Sequence, residues 1–254
     1  RVYRPEHARG RAVHVFLHGG GFWLGSIDER VVDATCRERC VGAGSVVVAV
    51  DYRLAPEHPF PAPLEDCYAA LLWAHANADR LGGDPANISV GGVSAGANLA
   101  AAVALAARER GGPALTMQLL EVPPLDLTLE TMSASGVGAG FGITLDEMKL
   151  CADLYVPPSE DLRGHLVSPL LAADLRALPP ARIMTAEFDP LRLDGERYAA
   201  RLRAAGVPAE HRRYPGAVHG SILLTRTWAP ARTWRADVLE AIRSAASRDA
   251  APPH

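Results

Sequence analysis

The sequence holds no apolar run long enough to cross a bilayer, and no charged start followed by an apolar stretch, so neither a membrane span nor a leader peptide can be read from it. Basic charge is not in excess. Lys and Arg number 26 against 29 Asp and Glu, a formal net charge of −3, which gives no electrostatic case for binding nucleic acid or an anionic membrane surface. Lysine is all but missing, with Lys149 alone, so nearly every positive charge is arginine. Cysteine is scarce as well: Cys36, Cys40, Cys67 and Cys151 form no CxxC or Cys/His ligand pattern. Buried free thiols, Cys36 and Cys40 sharing a helix face, are therefore expected, and with them a reducing, cytoplasmic setting. No internal repeat is visible. What is present, 254 residues at 48 % hydrophobic, suits one α/β domain with a substantial core.

The most informative stretch is Gly92-Val93-Ser94-Ala95-Gly96, between the apolar run Ile88 to Val93 and an alanine-rich run reaching Glu109. A serine at a sharp strand-to-helix turn, with glycines two residues to either side, is placed as a nucleophile, because side chains at the glycine positions would collide as strand and helix close on each other. A Gly-rich turn before a helix is the bland alternative, and the upstream sequence decides against it. His18-Gly19-Gly20-Gly21-Phe22-Trp23 follows the apolar strand Ala12 to Leu17, and its glycines let backbone N–H groups approach a developing oxyanion. Gly19 and Gly20, with the N–H of Ala95, are the expected oxyanion-hole donors. No lysine or Ser/Thr follows as a phosphate-binding loop would require. His18 is expected to shape this loop rather than act as a base.

A serine nucleophile needs a base, and the base needs an orienting carboxylate. In chain order Ser, acid, His, two candidates follow: Asp189, after the strand Arg182 to Ala186, and His219, after the strand Glu210 to Tyr214. Each lies just past the C-terminal end of a strand, where ligands bind in open α/β sheets. Alone, Asp189 before Pro190 could be a turn aspartate and His219 an exposed loop histidine; in this order, after two matched motifs, the functional reading is preferred. His7, His14, His58, His75, His165, His211 and His254 sit in less suitable settings.

Strands are predicted at Ala12 to Leu17, Ser45 to Val50, Ile88 to Val93, Leu115 to Val122, Arg182 to Ala186 and Glu210 to Tyr214. Helices are predicted near Glu29 to Cys40, Leu64 to Arg80, Ala95 to Arg110, Leu193 to Ala205 and Ala231 to Ser247. The alternation predicts a mostly parallel sheet covered by helices on both faces. The interval from Asp126 to Leu178 breaks this rhythm. Its Gly-rich Ser135 to Gly142, followed by Thr144-Leu145-Asp146-Glu147 with a cap-like start, predicts a mobile loop and a helix over the active site, a cap insertion at 126–178 in a single domain 1–254. The tail from Asp249 to His254 is read as frayed. Phe22, Trp23, Val122, Leu125 and Phe141 are candidates for the substrate wall.

These motifs carry a family resemblance. His18-Gly19-Gly20-Gly21, the run Asp51-Tyr52-Arg53-Leu54-Ala55-Pro56-Glu57-His58-Pro59-Phe60-Pro61-Ala62, Gly92 to Gly96, Asp189-Pro190-Leu191 and His219-Gly220 resemble the hormone-sensitive-lipase-like esterases of the α/β-hydrolase superfamily. The resemblance implies an α/β-hydrolase fold, Ser94 as nucleophile, His219 as base, Asp189 as acid, and an oxyanion hole from Gly19, Gly20 and Ala95, with no metal or organic cofactor. The Asp51 to Ala62 run is expected to be structural. Three departures stand out: Val93 replaces the usual Asp before the nucleophile, Gly220-Ser221 replaces Gly-Phe, and Glu121 replaces an apolar residue at the end of the strand after the elbow. Glu121 is expected to point outward or to be satisfied by a partner, with a second role as alternative acid left open. Arg1 to Pro5 matches an edge strand that in this family follows another strand and lid helices, so a longer natural polypeptide is expected, its N-terminal lid missing from this sequence.

The function expected is a serine carboxylesterase acting on small to medium apolar esters through an acyl-enzyme. An acyl-transferring or lyase-type enzyme and a non-catalytic ligand-binding receptor are the alternatives. The expected partner is a small-molecule ester; homodimerisation is left open.

Overall fold

In the computed structural model, which describes residues 1–6, 8–137 and 140–246, the apolar runs become a single seven-stranded sheet. Its strands are β1 (Val2–Tyr3), β2 (Arg11–Leu17), β3 (Val46–Val50), β4 (Gly83–Val93), β5 (Met117–Glu121), β6 (Ala181–Ala186) and β7 (Ala209–Tyr214). They lie in the order β1-β3-β2-β4-β5-β6-β7, with β1 antiparallel to β3 and every other pair parallel. The chain leaves β2 for β3 on one side, then crosses back to β4 on the other. The loops following β2 and β4 therefore part at a topological switch point, the crevice where open α/β sheets bind ligands.

Helices α1 (Arg30–Ala43), α2 (Ala62–Leu81), α3 (Ala95–Glu109), α6 (Arg192–Ala204) and α7 (Ala229–Ala246) occupy the predicted intervals within a few residues. Helix α3 is buried on all sides from Ala95 to Ala107, because alanine lets it approach the sheet, α2 and the loop after β5 together. Its buried Asn98 donates to the carbonyls of Pro124 (2.7 Å) and Val167 (3.0 Å), tying the helix to the loop after β5 and to the later part of the 126–178 interval. That interval contains a short α4 (Glu130–Ser133), which the sequence reading missed, and α5 (Leu145–Tyr155). The capping expectation holds: Glu147 N donates to Thr144 Oγ1 (3.2 Å) and Thr144 N to Glu147 Oε2 (2.7 Å).

Two strand boundaries differ from expectation for local reasons. Strand β4 begins at Gly83 rather than Ile88, because Arg11 pairs with Gly83 while Val13 pairs with Ile88, a bulge that absorbs the turn-like Asp84-Pro85. Strand β5 stops at Glu121 because Val122 turns into the left-handed region, φ 44°. Cys36, Cys40, Cys67 and Cys151 are buried free thiols. His7 and the tail from Asp249 to His254 lie outside the described residues, as do positions 138 and 139 of the Gly-rich segment.

Candidate active site

Ser94 leaves β4 at φ 55°, ψ −123°, a conformation that L residues adopt only when their surroundings impose it. Here Ser94 N donates to Glu121 O (2.9 Å), fixing the turn against β5. The flanking glycines are required by space. A Cβ on Gly92 would lie 2.4 Å from the Gly96 backbone, and one on Gly96 would lie 2.2 Å from Leu17 O. Strand β2, β4 and α3 thus meet where no side chain fits, and the Ser94 hydroxyl projects from the crest.

His219, in the loop after β7, places Nε2 3.0 Å from Ser94 Oγ and Nδ1 2.8 Å from Asp189 Oδ2. Asp189 is wholly buried, and its other oxygen accepts Leu191 N at 2.9 Å. With the carboxylate holding Nδ1–H, the Nε2 lone pair faces the serine, the arrangement a general base needs. The two supporting loops are tied together: Phe188 N donates to Ala217 O (2.8 Å) and Gly216 N to Glu187 Oε2 (2.8 Å). Ser221 Oγ, in place of an aromatic, accepts Val218 N (2.9 Å) and closes the turn carrying His219.

Gly19 lies against the nucleophile; a Cβ there would be 3.4 Å from Ser94 Cβ. Gly20 has φ 123°, and a Cβ would fall 2.0 Å from Leu24 O. Among the described residues, the N–H groups of Gly19, Gly20 and Ala95 donate to no backbone acceptor, which leaves them free to meet an oxyanion. His18 is buried, with Nδ1 2.7 Å from Gly19 O and its ring stacked on Tyr52 at 4.3 Å, while the Tyr52 hydroxyl donates to His18 O (2.8 Å). It shapes the loop, as expected, and Tyr52 shows the structural use of the Asp51 to Ala62 run.

The substrate-wall expectations fare unevenly. Phe22, Val122 and Leu125 are correctly read as apolar but wrongly as wall: all three are packed in the core, Phe22 stacked on Tyr155 at 3.9 Å. Trp23 is half-buried beside Gly21 and the Cys151 sulfur, and Phe141 is exposed, stacked on Phe188 at 4.9 Å. Sequence reasoning missed Tyr155, whose place on α5 behind the glycine loop no local pattern reveals.

Glu121, the alternative acid, does not reach His219. Glu121 is wholly buried rather than outward, and it pairs with Arg39 of α1. Asp194, buried in the first turn of α6, accepts Leu125 N (2.7 Å) and Asp126 N (3.0 Å) through Oδ2. Burial pushes its carboxyl up to about 8, with the nearby Asp126 and Asp189 adding to the rise and the two N–H groups only partly offsetting it.

Comparison with known proteins bears on the family. The family described as the α/β hydrolase fold matches residues 14–223. The carboxylic ester hydrolase LipN of Mycobacterium tuberculosis is 41 % identical over 254 residues, covering 98 % of this chain and 67 % of LipN. The carboxylesterase NlhH of the same species is 45 % identical over 230 residues, 87 % of this chain and 70 % of NlhH. Among solved structures, a hyperthermophilic esterase from Pyrobaculum calidifontis superimposes with a TM-score of 0.90 at 41 % identity, over 96 % of this chain and 80 % of that one.

Proposed function

The chain belongs to the α/β-hydrolase family, within it to the hormone-sensitive-lipase-like carboxylesterases, and from this we propose that it hydrolyses small to medium apolar carboxylic esters with Ser94, His219 and Asp189 as its catalytic residues. The observation that carries the assignment of roles is the unbroken hydrogen-bonded series from Ser94 Oγ through His219 to buried Asp189. Ser94 Oγ attacks the ester carbonyl as His219 Nε2 takes its proton, and the oxyanion formed accepts from the N–H groups of Gly19, Gly20 and Ala95. The intermediate collapses when His219 Nε2–H donates to the departing alkoxide, leaving an acyl group on Ser94. Water, deprotonated by His219, then attacks that acyl carbonyl; the carboxylic acid leaves and Ser94 recovers its proton. Asp189 stays ionised throughout and holds the imidazolium that forms twice in each cycle. Under the same reading, residues 126–178 act as a cap insertion, and Trp23 and Phe141 supply apolar surface near the entrance.

A screen of acyl and alkyl esters, with Ser94→Ala as control, tests this. Turnover of acetates and butyrates that vanishes in Ser94→Ala is the expected result. Ester turnover that survives in Ser94→Ala would overturn the mechanism, and an absence of turnover across the library, with ligands still bound, would favour the receptor alternative.

A further inference from the structure

A cleft of about 490 Å³ opens beside the glycine loop, between α1, the middle of α7 and the segment after His219. Gly19, Gly20, Val93 and Gly220 line it, so it touches the residue before the nucleophile and the residue after the base. Leu24, Val31 and Leu223 are exposed where they line it, marking the mouth, whereas Arg39 and Glu121 are almost fully buried and mark its depth. Two of the three departures from the family pattern, Val93 and Glu121, therefore meet in one cavity.

The Arg39 and Glu121 side chains are held from several sides yet incompletely satisfied. Arg39 Nη2 donates to Glu121 Oε1, Nη1 approaches His14 Nε2 at 3.3 Å, and the guanidinium lies 4.5 Å over the Phe16 ring. His14 in turn contacts Ser89 Oγ through Nδ1 at 3.0 Å. Burial and the neighbouring guanidinium hold His14 well below the usual imidazole range, so its Nε2 accepts. Two buried atoms have no protein partner: the Arg39 Nε–H donor and the Glu121 Oε2 acceptor. An unmet buried group is costly, and here both members of the pair, which line the cleft, carry one.

We propose that this cleft binds the alcohol part of the ester and selects alcohols that end in a free hydroxyl, which accepts from Arg39 Nε–H and donates to Glu121 Oε2. The proposal rests on the esterase reading above. The alcohol side is assigned because His219 must protonate the departing oxygen, and Gly220 and Val93 flank that point. A neutral end group fits because Arg39 and Glu121 already neutralise each other; an ammonium would face Arg39 and a carboxylate Glu121, bringing an unpaired charge into a buried site. Val93, the residue before the nucleophile, and Glu121 are direct register partners across β4 and β5, which places the pair one strand away from the elbow.

The test compares ω-hydroxyalkyl acetates with alkyl acetates of equal heavy-atom count, such as 4-hydroxybutyl against pentyl acetate, over about two to six methylenes. At the best length the wild-type kcat/KM ratio should favour the hydroxylated ester at least tenfold, about 1.4 kcal/mol, and Arg39→Leu combined with Glu121→Leu should bring the ratio to one or below. Because the readout is a ratio, a general loss of activity does not imitate the effect. As a measurement independent of turnover and of that variant's folding, Ser94→Ala protein should be stabilised against heat more by 4-hydroxybutyl acetate than by pentyl acetate at equal concentration. Equal stabilisation, or a wild-type ratio near one at every length, would overturn the proposal. If wild type hydrolyses neither series, the esterase reading fails, and the Ser94→Ala comparison still decides this one.

Discussion

Replacing Asp194 by Asn should change how stability depends on pH while sparing Ser94, His219 and Asp189. Asp194 is fully buried, and its carboxyl is pushed from the ordinary 3.8 up to about 8. By linkage, a carboxyl that holds its proton in the folded state but loses it in the unfolded chain makes folding less favourable as pH rises. Its contribution is therefore fully present below about pH 4 and is lost progressively until about pH 8. Within that window each pH unit costs about 1.4 kcal/mol, so the step from pH 5 to pH 7 amounts to about 2.7 kcal/mol. For a protein of this size that corresponds to roughly 5–11 °C in Tm. Asn at this position keeps an oxygen able to accept Leu125 N and Asp126 N and carries no titratable proton, so its melting temperature lacks this slope. Thermal melts of both proteins from pH 5 to pH 8 give the difference directly: the Asn variant gains on wild type by about 1.4 kcal/mol per pH unit and is the more stable at pH 8. A wild-type minus variant difference that stays constant across the range would refute the reasoning, and with it the claim that Asp194 is held protonated by burial.

Two further outcomes follow from the site. Asp189→Asn should lower kcat by about 10⁴-fold, because the amide no longer holds the tautomer that leaves His219 Nε2 free, whereas Asp194→Asn should leave kcat within the same order of magnitude; steady-state kinetics on one chromogenic ester decides between them. Gly20→Ala should lower kcat by about 10²- to 10³-fold, the loss expected for a misplaced oxyanion donor, since a Cβ 2.0 Å from Leu24 O at φ 123° forces the loop to move; an unchanged far-UV circular dichroism spectrum would place the loss in the site.

The parts legible in the sequence are those fixed by local sterics. Gly92, Gly96 and Gly20 are readable because each position excludes a side chain in the fold, and central strands such as β3 are readable because burial on both faces demands a continuous apolar run. Asp189 and His219 are readable only through chain order, since nothing local separates them from a turn aspartate and a loop histidine. The substrate wall was misread because an aromatic beside a motif gives no sign of which way it faces: Phe22, at φ 71°, turns inward onto Tyr155. Arg39 did leave a signal. It lies on the stripe Val32, Cys36, Arg39 whose other members are apolar and buried, just as Glu121 ends an apolar strand. Each residue is anomalous alone, and the fold makes them partners.

The glycine loop shows why the motif needs the rest of the chain. Glycines give the loop freedom, and freedom alone would leave its N–H groups poorly aimed, so the geometry has to be imposed by contacts remote in sequence. Gly20 O accepts from both Trp23 N (3.2 Å) and Leu24 N (2.8 Å), curling the loop on itself. Phe22 O accepts Ala55 N (3.0 Å), and the Tyr52 hydroxyl holds His18 O, so the run from Asp51 to Ala62 braces one side. On the other side stands α5, with Tyr155 stacked on Phe22 and Cys151 set against Gly21 and Trp23. Tyr155 O also accepts Phe60 N (2.7 Å), which joins the two braces to each other. The interval that broke the strand-helix rhythm is thereby coupled to the glycine loop through packed side chains. Preorganisation of that loop is a property of three distant segments acting together, which is why the short motif marks the place of the proposed hole while the remainder of the fold sets the loop's shape.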